Sequence, residues 1–272
     1  MLNNNISFIG AGNMASSIIG GLITNGYPAK QITAANPSED KLVKLQQQYG
    51  IHITTDNITA AEQADILVLA VKPQLLNQVC PPLHTIVQQR KPLILSVLAG
   101  KTLSILAEQL ATKNLPIVRC MPNTPAMLGC GVTAVVANEY TTTAQKTIVT
   151  QLLQTIGTVI WLEQEAQINP VSAISGSGPA YFFYMMEGLI KAGIAQGLDQ
   201  AMVQTLVEQT ALGTAKMALA NNETLTTLRH QVTSPKGSTE QGIKVLQDNN
   251  LDEILIDVVA AATKRANELA KV

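Results

Sequence analysis

Asn5 to Gly21, NISFIGAGNMASSIIGG, is the stretch whose reading decides the fold. Ile6, Phe8 and Ile9 predict a short buried strand. Gly10-Ala11-Gly12 is a tight turn, and Asn13 onward reads as a helix with small residues on its inner side. The pattern is G-x-G-x-x-A, with Ala15 last. Gly10 can take the turn conformation, Gly12 lets the backbone approach a pyrophosphate, and Ala15 lets the helix lie close to the strand. The free N–H groups at the helix start then face phosphate oxygens. Gly-rich turns are common, but this one lies between a strand and a helix, the context that dinucleotide binding requires. Gly10, Ala11, Gly12, Asn13 and Met14 are therefore candidate cofactor-binding residues.

Working outward, 272 residues correspond to about two domains. At 46% hydrophobic and 14% charged the chain can bury a large core, and at 3% aromatic that core is aliphatic. A net charge of -1 gives no reason to expect nucleic acid or an anionic membrane surface. Cys80, Cys120 and Cys130 lack metal-ligand spacing and read as reduced thiols of a cytoplasmic protein, with no metal site. No signal peptide is evident at the N-terminus, and no apolar run reaches about 18 residues, so no membrane span is expected.

Gln31–Ala35 predicts the second strand. At its end, where an acidic residue would grip the ribose hydroxyls of NAD, stands Asn36, followed by Pro37-Ser38. A carboxylate there would repel a 2′-phosphate, whereas Asn36 and Ser38 can donate to one, so NADPH is favoured over NADH. Ser38 is equally a plain helix cap. Ile51–Thr54 is a third strand, and Asp56-Asn57 opens a helix ending near Asp65. ILVLAV at Ile66–Val71 is the continuous apolar run of a central parallel strand. It ends in Lys72-Pro73, and Pro73 can start the next helix. That places Lys72 at the carboxyl end of a central strand, where open α/β sheets bind ligands. Pro92–Ala99, Pro116–Cys120, Val132–Ala137 and Thr158–Leu162 supply the remaining strands, with helices at Leu103–Leu110 and about 142–155. Met121-Pro122-Asn123-Thr124-Pro125 reads as an extended, rigid loop. The βαβ alternation predicts a doubly wound Rossmann-like α/β sheet, with room for an antiparallel edge.

Beyond Glu163 strand-like runs vanish. Segments near 177–197, 199–220, 222–231, 238–248 and 251–270 have helical periodicity. The domain boundary is expected near residue 163: an NAD(P)-binding domain over 1–163 and an all-α domain over 164–272. The apolar surface of the second half is large for its size and suggests burial against another copy.

Two stretches there do not read as ordinary helix. Ser175-Gly176-Ser177-Gly178-Pro179-Ala180-Tyr181 sets small residues before a proline that can open a long helix. Thr233-Ser234-Pro235-Lys236-Gly237-Ser238-Thr239-Glu240 places backbone N–H groups, hydroxyls and an ammonium at a helix start, a site suited to a carboxylate. A capped helix start explains the same residues.

With these stretches in hand, the chain resembles the pyrroline-5-carboxylate reductases over essentially its whole length. FIGAGNM (Phe8–Met14), AVKP (Ala70–Pro73), RCMPNTP (Arg119–Pro125), SGSGPAY (Ser175–Tyr181) and TSPKGST (Thr233–Thr239) carry the resemblance by their order and spacing. It implies reduction of 1-pyrroline-5-carboxylate to L-proline, the last step of proline synthesis, by NAD(P)H. It implies cofactor contacts at Ala11, Asn13, Met14, Asn36, Asn57, Ala70, Val71, Lys72, Pro73 and Ala99. It also implies an interlocked homodimer through the helical domain, and substrate contacts at Glu165, Ser234, Gly237, Ser238 and Thr239. The chain departs from the family's usual SPGGTT loop: Lys236 replaces a glycine and Ser238 a threonine. His230 stands where an acidic residue is common.

The substrate is a cyclic imine bearing a carboxylate. Thr239 is the candidate for the hydrogen bond to the ring nitrogen, orienting it and relaying a proton. A β-hydroxyacid dehydrogenase shares the two-domain plan but needs a lysine one turn into the interdomain helix, and PAYFFYMMEGLI has none before Lys191. A non-catalytic NADP-binding scaffold is the reading from another class.

Overall fold

ILVL and LILS, two runs apolar on both faces, become neighbouring inner strands, the arrangement of a parallel sheet covered by helices on either side. The structure, a computed structural model, describes residues 4–270. In chain order its regular elements begin β1 (Ile6–Ile9), α1 (Asn13–Thr24), β2 (Ile32–Ala35), α2 (Glu39–Tyr49), β3 (His52–Thr54), α3 (Asn57–Glu62) and β4 (Ile66–Leu69). They continue with α4 (Leu76–Val79), α5 (His84–Arg90), β5 (Leu93–Ser96), α6 (Leu103–Gln109), β6 (Ile117–Met121), β7 (Gly131–Ala137), α7 (Thr143–Gln154) and β8 (Gly157–Trp161). Only helices follow: α8 (Ile168–Val171), α9 (Gly178–Ala195), α10 (Gln200–Ala220), α11 (Leu225–Gln231), α12 (Ser238–Asp248) and α13 (Leu251–Leu269).

The strand order is β3-β2-β1-β4-β5-β6-β7-β8. Strands β1 to β6 are mutually parallel, β7 runs antiparallel to β6, and β8 is parallel to β7. The order reverses between β1 and β4, so a ligand crevice opens at the carboxyl ends of those strands. Alternation within β1 splits the core between two faces. Ile6 and Phe8 pack with Ile18, Leu22 and Leu152, whereas Ile9 packs with Leu69, Leu76 and Leu106. Several strands are a residue or two shorter than their apolar runs, because Val71, Val97 and Leu98 lie in the connections beyond the ladder.

One expectation is corrected, and one stretch is given its form. The proline-rich loop after β6 is not extended throughout: Thr124–Leu128 forms a 3₁₀ helix, whose backbone the fixed φ of Pro125 suits. The small-residue stretch before α9 is a π-helical turn, Ser172–Gly176, closed by Ser177 N–H donating to the Ser172 carbonyl at 2.9 Å.

The fold divides into two compact units. The first runs to Ser177 and takes in the chain from Ala262 onward, and the second spans Gly178–Ala261. Residues 164–177 thus continue within the first unit, beyond the change of sequence character at residue 163. In the second unit Asp199 caps α10, accepting from the Met202 N–H at 3.1 Å, and Gly193 lies against Val203 where α9 meets α10. No described helix is long and apolar enough to cross a membrane.

Candidate active site

Gly10 follows β1 with φ +104°, and a Cβ there would stand 2.5 Å from the Ala70 carbonyl oxygen. Glycine is therefore required twice, by the conformation and by the close approach of the β4 end. Gly12 is different: a Cβ would meet nothing within 4 Å. It is the N-cap residue of α1 and offers no side chain, so the first-turn N–H groups of α1 are open. That open, donor-lined turn fits the pyrophosphate of a dinucleotide. Asn36 braces it. Its Oδ1 accepts from the Ala11 N–H at 3.4 Å, and its Nδ2 donates to the Ser38 carbonyl at 3.2 Å. Ser38 is the N-cap residue of α2, yet its hydroxyl caps nothing.

Asn57 opens α3 behind the Asp56 cap, which accepts from the Ile58 and Thr59 N–H groups. The Thr59 hydroxyl and these N–H groups hold the Asp56 carboxyl below its usual range. Lys72 precedes a 3₁₀ turn, Pro73–Leu75, started by the proline as the sequence predicts. Ala99 lies beyond β5. Pro73 and Ala99 both line a cavity of about 760 Å³ at the carboxyl ends of β4, β5 and β6, together with Lys101, Arg119, Met121 and Ser177. Every residue lining it belongs to the first unit. The structure thus gathers the candidate cofactor residues along one edge of one sheet.

Arg119 and Asn123 escaped sequence reasoning. Arg119 is only 3% exposed in β6, and its Nη1 lies 2.9 Å from Glu165 Oε1. The same oxygen accepts from the Leu103 N–H at 2.8 Å. A lone charge inside the apolar run Ile117–Met121 was the available signal, since buried arginines are nearly always paired. Asn123 joins two of the motif stretches: its Nδ2 donates to the Ser175 carbonyl at 3.1 Å, and its Oδ1 accepts from the Val132 N–H at 2.9 Å.

The hydroxyl-bearing loop lies in the second unit. The Gly237 N–H donates to the Ser234 carbonyl at 3.0 Å, closing a turn with Pro235 and Lys236 at its centre. Lys236 has φ +61°, the left-handed conformation that glycine takes at lower cost. The turn is held all the same, because the Lys236 N–H donates to Glu240 Oε2 at 2.9 Å. A Cβ on Gly237 would come within 2.9 Å of the Ser234 carbonyl oxygen. Gly237 is the N-cap residue of α12 and provides no side-chain cap, so the N–H groups of Ser238 and Thr239 are open at the helix start. The structure thus brings Ser234, Gly237, Ser238 and Thr239 together, with Ser234, Ser238 and Thr239 exposed. Glu165, the other candidate substrate residue, is in the first unit, in its ion pair with Arg119.

Comparison with known proteins names the family. Residues 165–269 match the pyrroline-5-carboxylate reductase dimerisation model, and residues 5–100 match a model of coenzyme F420-dependent NADP oxidoreductases. The chain is 46% identical to a pyrroline-5-carboxylate reductase of Vibrio alginolyticus, over 100% of this chain and 99% of that one. The chain belongs to the pyrroline-5-carboxylate reductase family. A solved reductase of this family from Coxiella burnetii superposes with a TM-score of 0.96 at 44% identity, covering 100% of both chains. Another, from Plasmodium falciparum with NADP bound, gives 0.86 at 26% identity, covering 99% of each. A pyrroline-5-carboxylate reductase therefore accounts for the five motif stretches, for the oxidoreductase fold and for its use of a nicotinamide dinucleotide. The dehydrogenase and scaffold readings are not favoured.

Proposed function

We propose that this chain reduces 1-pyrroline-5-carboxylate to L-proline as a homodimer, with NADPH preferred to NADH. The observation that carries the reading is the pairing, in one family member, of a side-chain-free phosphate turn at Gly10–Gly12 with an uncapped, hydroxyl-bearing helix start at Gly237–Thr239. When bound, the nicotinamide supplies the hydride for the imine carbon. The chain's own part is to orient the ring and exclude water. The open N–H groups of Ser238 and Thr239 and the Ser234 hydroxyl hold the carboxylate, and Gly237, whose own N–H is committed to the Ser234 carbonyl at 3.0 Å, shapes the turn. The Thr239 hydroxyl donates to, or relays a proton toward, the ring nitrogen. A threonine hydroxyl is a weak acid, so its work is orientation and relay, the proton coming with the protonated imine or from water. Ala11, Asn13, Met14, Asn36, Asn57, Val71, Lys72 and Ala99 are assigned to the cofactor.

The NADPH preference rests on Asn36 and on the uncommitted Ser38 hydroxyl, which can donate to a 2′-phosphate. Glu39 and Asp40 in the first turn of α2 oppose it, which makes the measurement decisive. NADPH consumption with 1-pyrroline-5-carboxylate, with proline identified as product, tests the reaction. Asn36→Asp should weaken NADPH much more than NADH, and equal losses would refute the assignment.

A further inference from the structure

We propose that Arg119 is a cofactor-binding residue whose guanidinium donates to the carboxamide oxygen of the nicotinamide ring. The inference rests on the nicotinamide dinucleotide lying along the carboxyl edge of the sheet. It does not rest on the roles given to Ser234 and Thr239.

Arg119 is the sole charge in β6, which lies between β5 and β7. Replacing a buried arginine–carboxylate pair by apolar side chains of similar volume is often neutral or stabilising, so packing is a weak reason for a charge at this position. A guanidinium carries five N–H donors. In Arg119 one nitrogen, Nη1, donates to Glu165 Oε1 at 2.9 Å, and no other hydrogen bond is made by its side chain among the described residues. The nitrogens left over are not sealed in the core, since no Arg119 atom is among the buried polar atoms that lack a partner. Arg119 lines the 760 Å³ cavity, the space to which we assign them. The side chain is thus almost wholly buried, anchored on one side and unsatisfied on the side that faces a ligand-sized space.

The anchor is firm. Glu165 is held by the Leu103 N–H at 2.8 Å as well as by Arg119, so the planar fork has a fixed orientation. The place in the fold selects the ligand. The phosphate turn follows β1, and the cavity begins at the next strand, with Pro73 after β4 and Ala99 after β5 as its walls. A dinucleotide with its pyrophosphate at Gly10–Gly12 and its adenosine toward β2 sends its nicotinamide half to this side of the switch point. Charge selects the group. Arg119 and Glu165 together are neutral, so a carboxylate at the free Arg119 nitrogens would lie beside Glu165, although Lys101 and Arg265 also line the cavity. A neutral, strongly dipolar oxygen such as a carboxamide has no such penalty and satisfies the idle donors.

The test is equilibrium binding by calorimetry, without substrate. Two ligands are compared: NADPH and adenosine 2′,5′-bisphosphate, which carries the adenosine half alone. Arg119→Met should weaken NADPH about 10-fold or more, as loss of a hydrogen bond from a charged donor does, and change the bisphosphate less than about two-fold. Arg119→Lys should recover part of the loss. The double variant Arg119→Met/Glu165→Gln removes the orphaned carboxylate that could unfold the single variant, and it should show the same selective loss. Unchanged NADPH affinity in the double variant, or equal losses for both ligands, overturns the proposal. Failure of Thr239→Ala to affect turnover would refute the substrate-loop reading and leave these binding results untouched.

Discussion

The two compact units handle apolar surface in opposite ways. In the first, β1, β4 and β5 are buried along their whole length and feed two packed cores, one on each face of the sheet. In the second, Val203 is the one buried apolar side chain larger than glycine among the described residues. Phe182, Phe183 and Tyr184 on α9 are 70%, 61% and 74% exposed, and Leu219 and Leu225 are more than 70% exposed. A single chain leaves the second unit without a core of its own. Apolar exposure on this scale marks an interaction face, and residues 165–269 match a dimerisation model.

That contrast can be broken most directly by association. Analytical ultracentrifugation at low concentration should show a dimer or larger. Phe182→Asp with Phe183→Asp should weaken association about 100-fold or more, since burial of each such ring contributes roughly 1.5–3 kcal/mol. A stable, active wild-type monomer would end the argument.

Next in size is the loop of the second unit. Thr239→Ala removes one hydroxyl and leaves the backbone N–H groups in place. The expected cost is roughly 1–3 kcal/mol, or about 5- to 150-fold. A fall in kcat with NADPH affinity kept places the hydroxyl in the transition state, whereas a rise in KM alone limits it to binding. Steady-state kinetics with both constants unchanged would remove Thr239 from the mechanism and make Glu165 the next residue to alter.

The first unit should respond to backbone geometry where the second responds to lost partners. Gly10→Ala forces a Cβ against the Ala70 carbonyl at positive φ, and should cost about 2 kcal/mol, or about 4–8 °C in Tm. Gly12→Ala has room and should leave Tm unchanged while weakening NADPH binding. Equal melting temperatures for the two variants would contradict the close packing of β1 on β4.

The smallest effects concern thiols of the first unit. Burial pushes the Cys80 thiol up to about 12 and the Cys120 thiol higher still. Cys130 is exposed. Near neutral pH, iodoacetamide should modify Cys130 alone, as read by mass spectrometry. Because the folded state raises the pKa of Cys80, its contribution to stability is complete below the ordinary thiol range and is lost as pH climbs from there toward 12. Cys80→Ser should flatten that alkaline decline in a denaturation series, and an unchanged slope would show that the site is open.

Local chemistry made much of this protein legible in its sequence. Hydrophobic periodicity placed the strands and long helices, because a buried parallel strand must be apolar on both faces and a helix must repeat every 3.6 residues. The G-x-G-x-x-A spacing marked the phosphate turn, where only Gly10 has no tolerance for a Cβ, and the hydroxyl run marked the start of α12. The direction of β7, the π-turn at Ser172–Gly176 and the helical turn within the proline loop were decided by pairing and packing with distant residues. So were the Arg119–Glu165 pair, 46 positions apart in the chain, and the bond from Asn123 to Ser175, 52 apart. A sequence displays preferences that act within a few residues. Which buried charge meets which carboxylate, and which donors stay idle beside a cavity, is settled only when remote segments are brought together, because desolvation must be offset at the place where burial occurs.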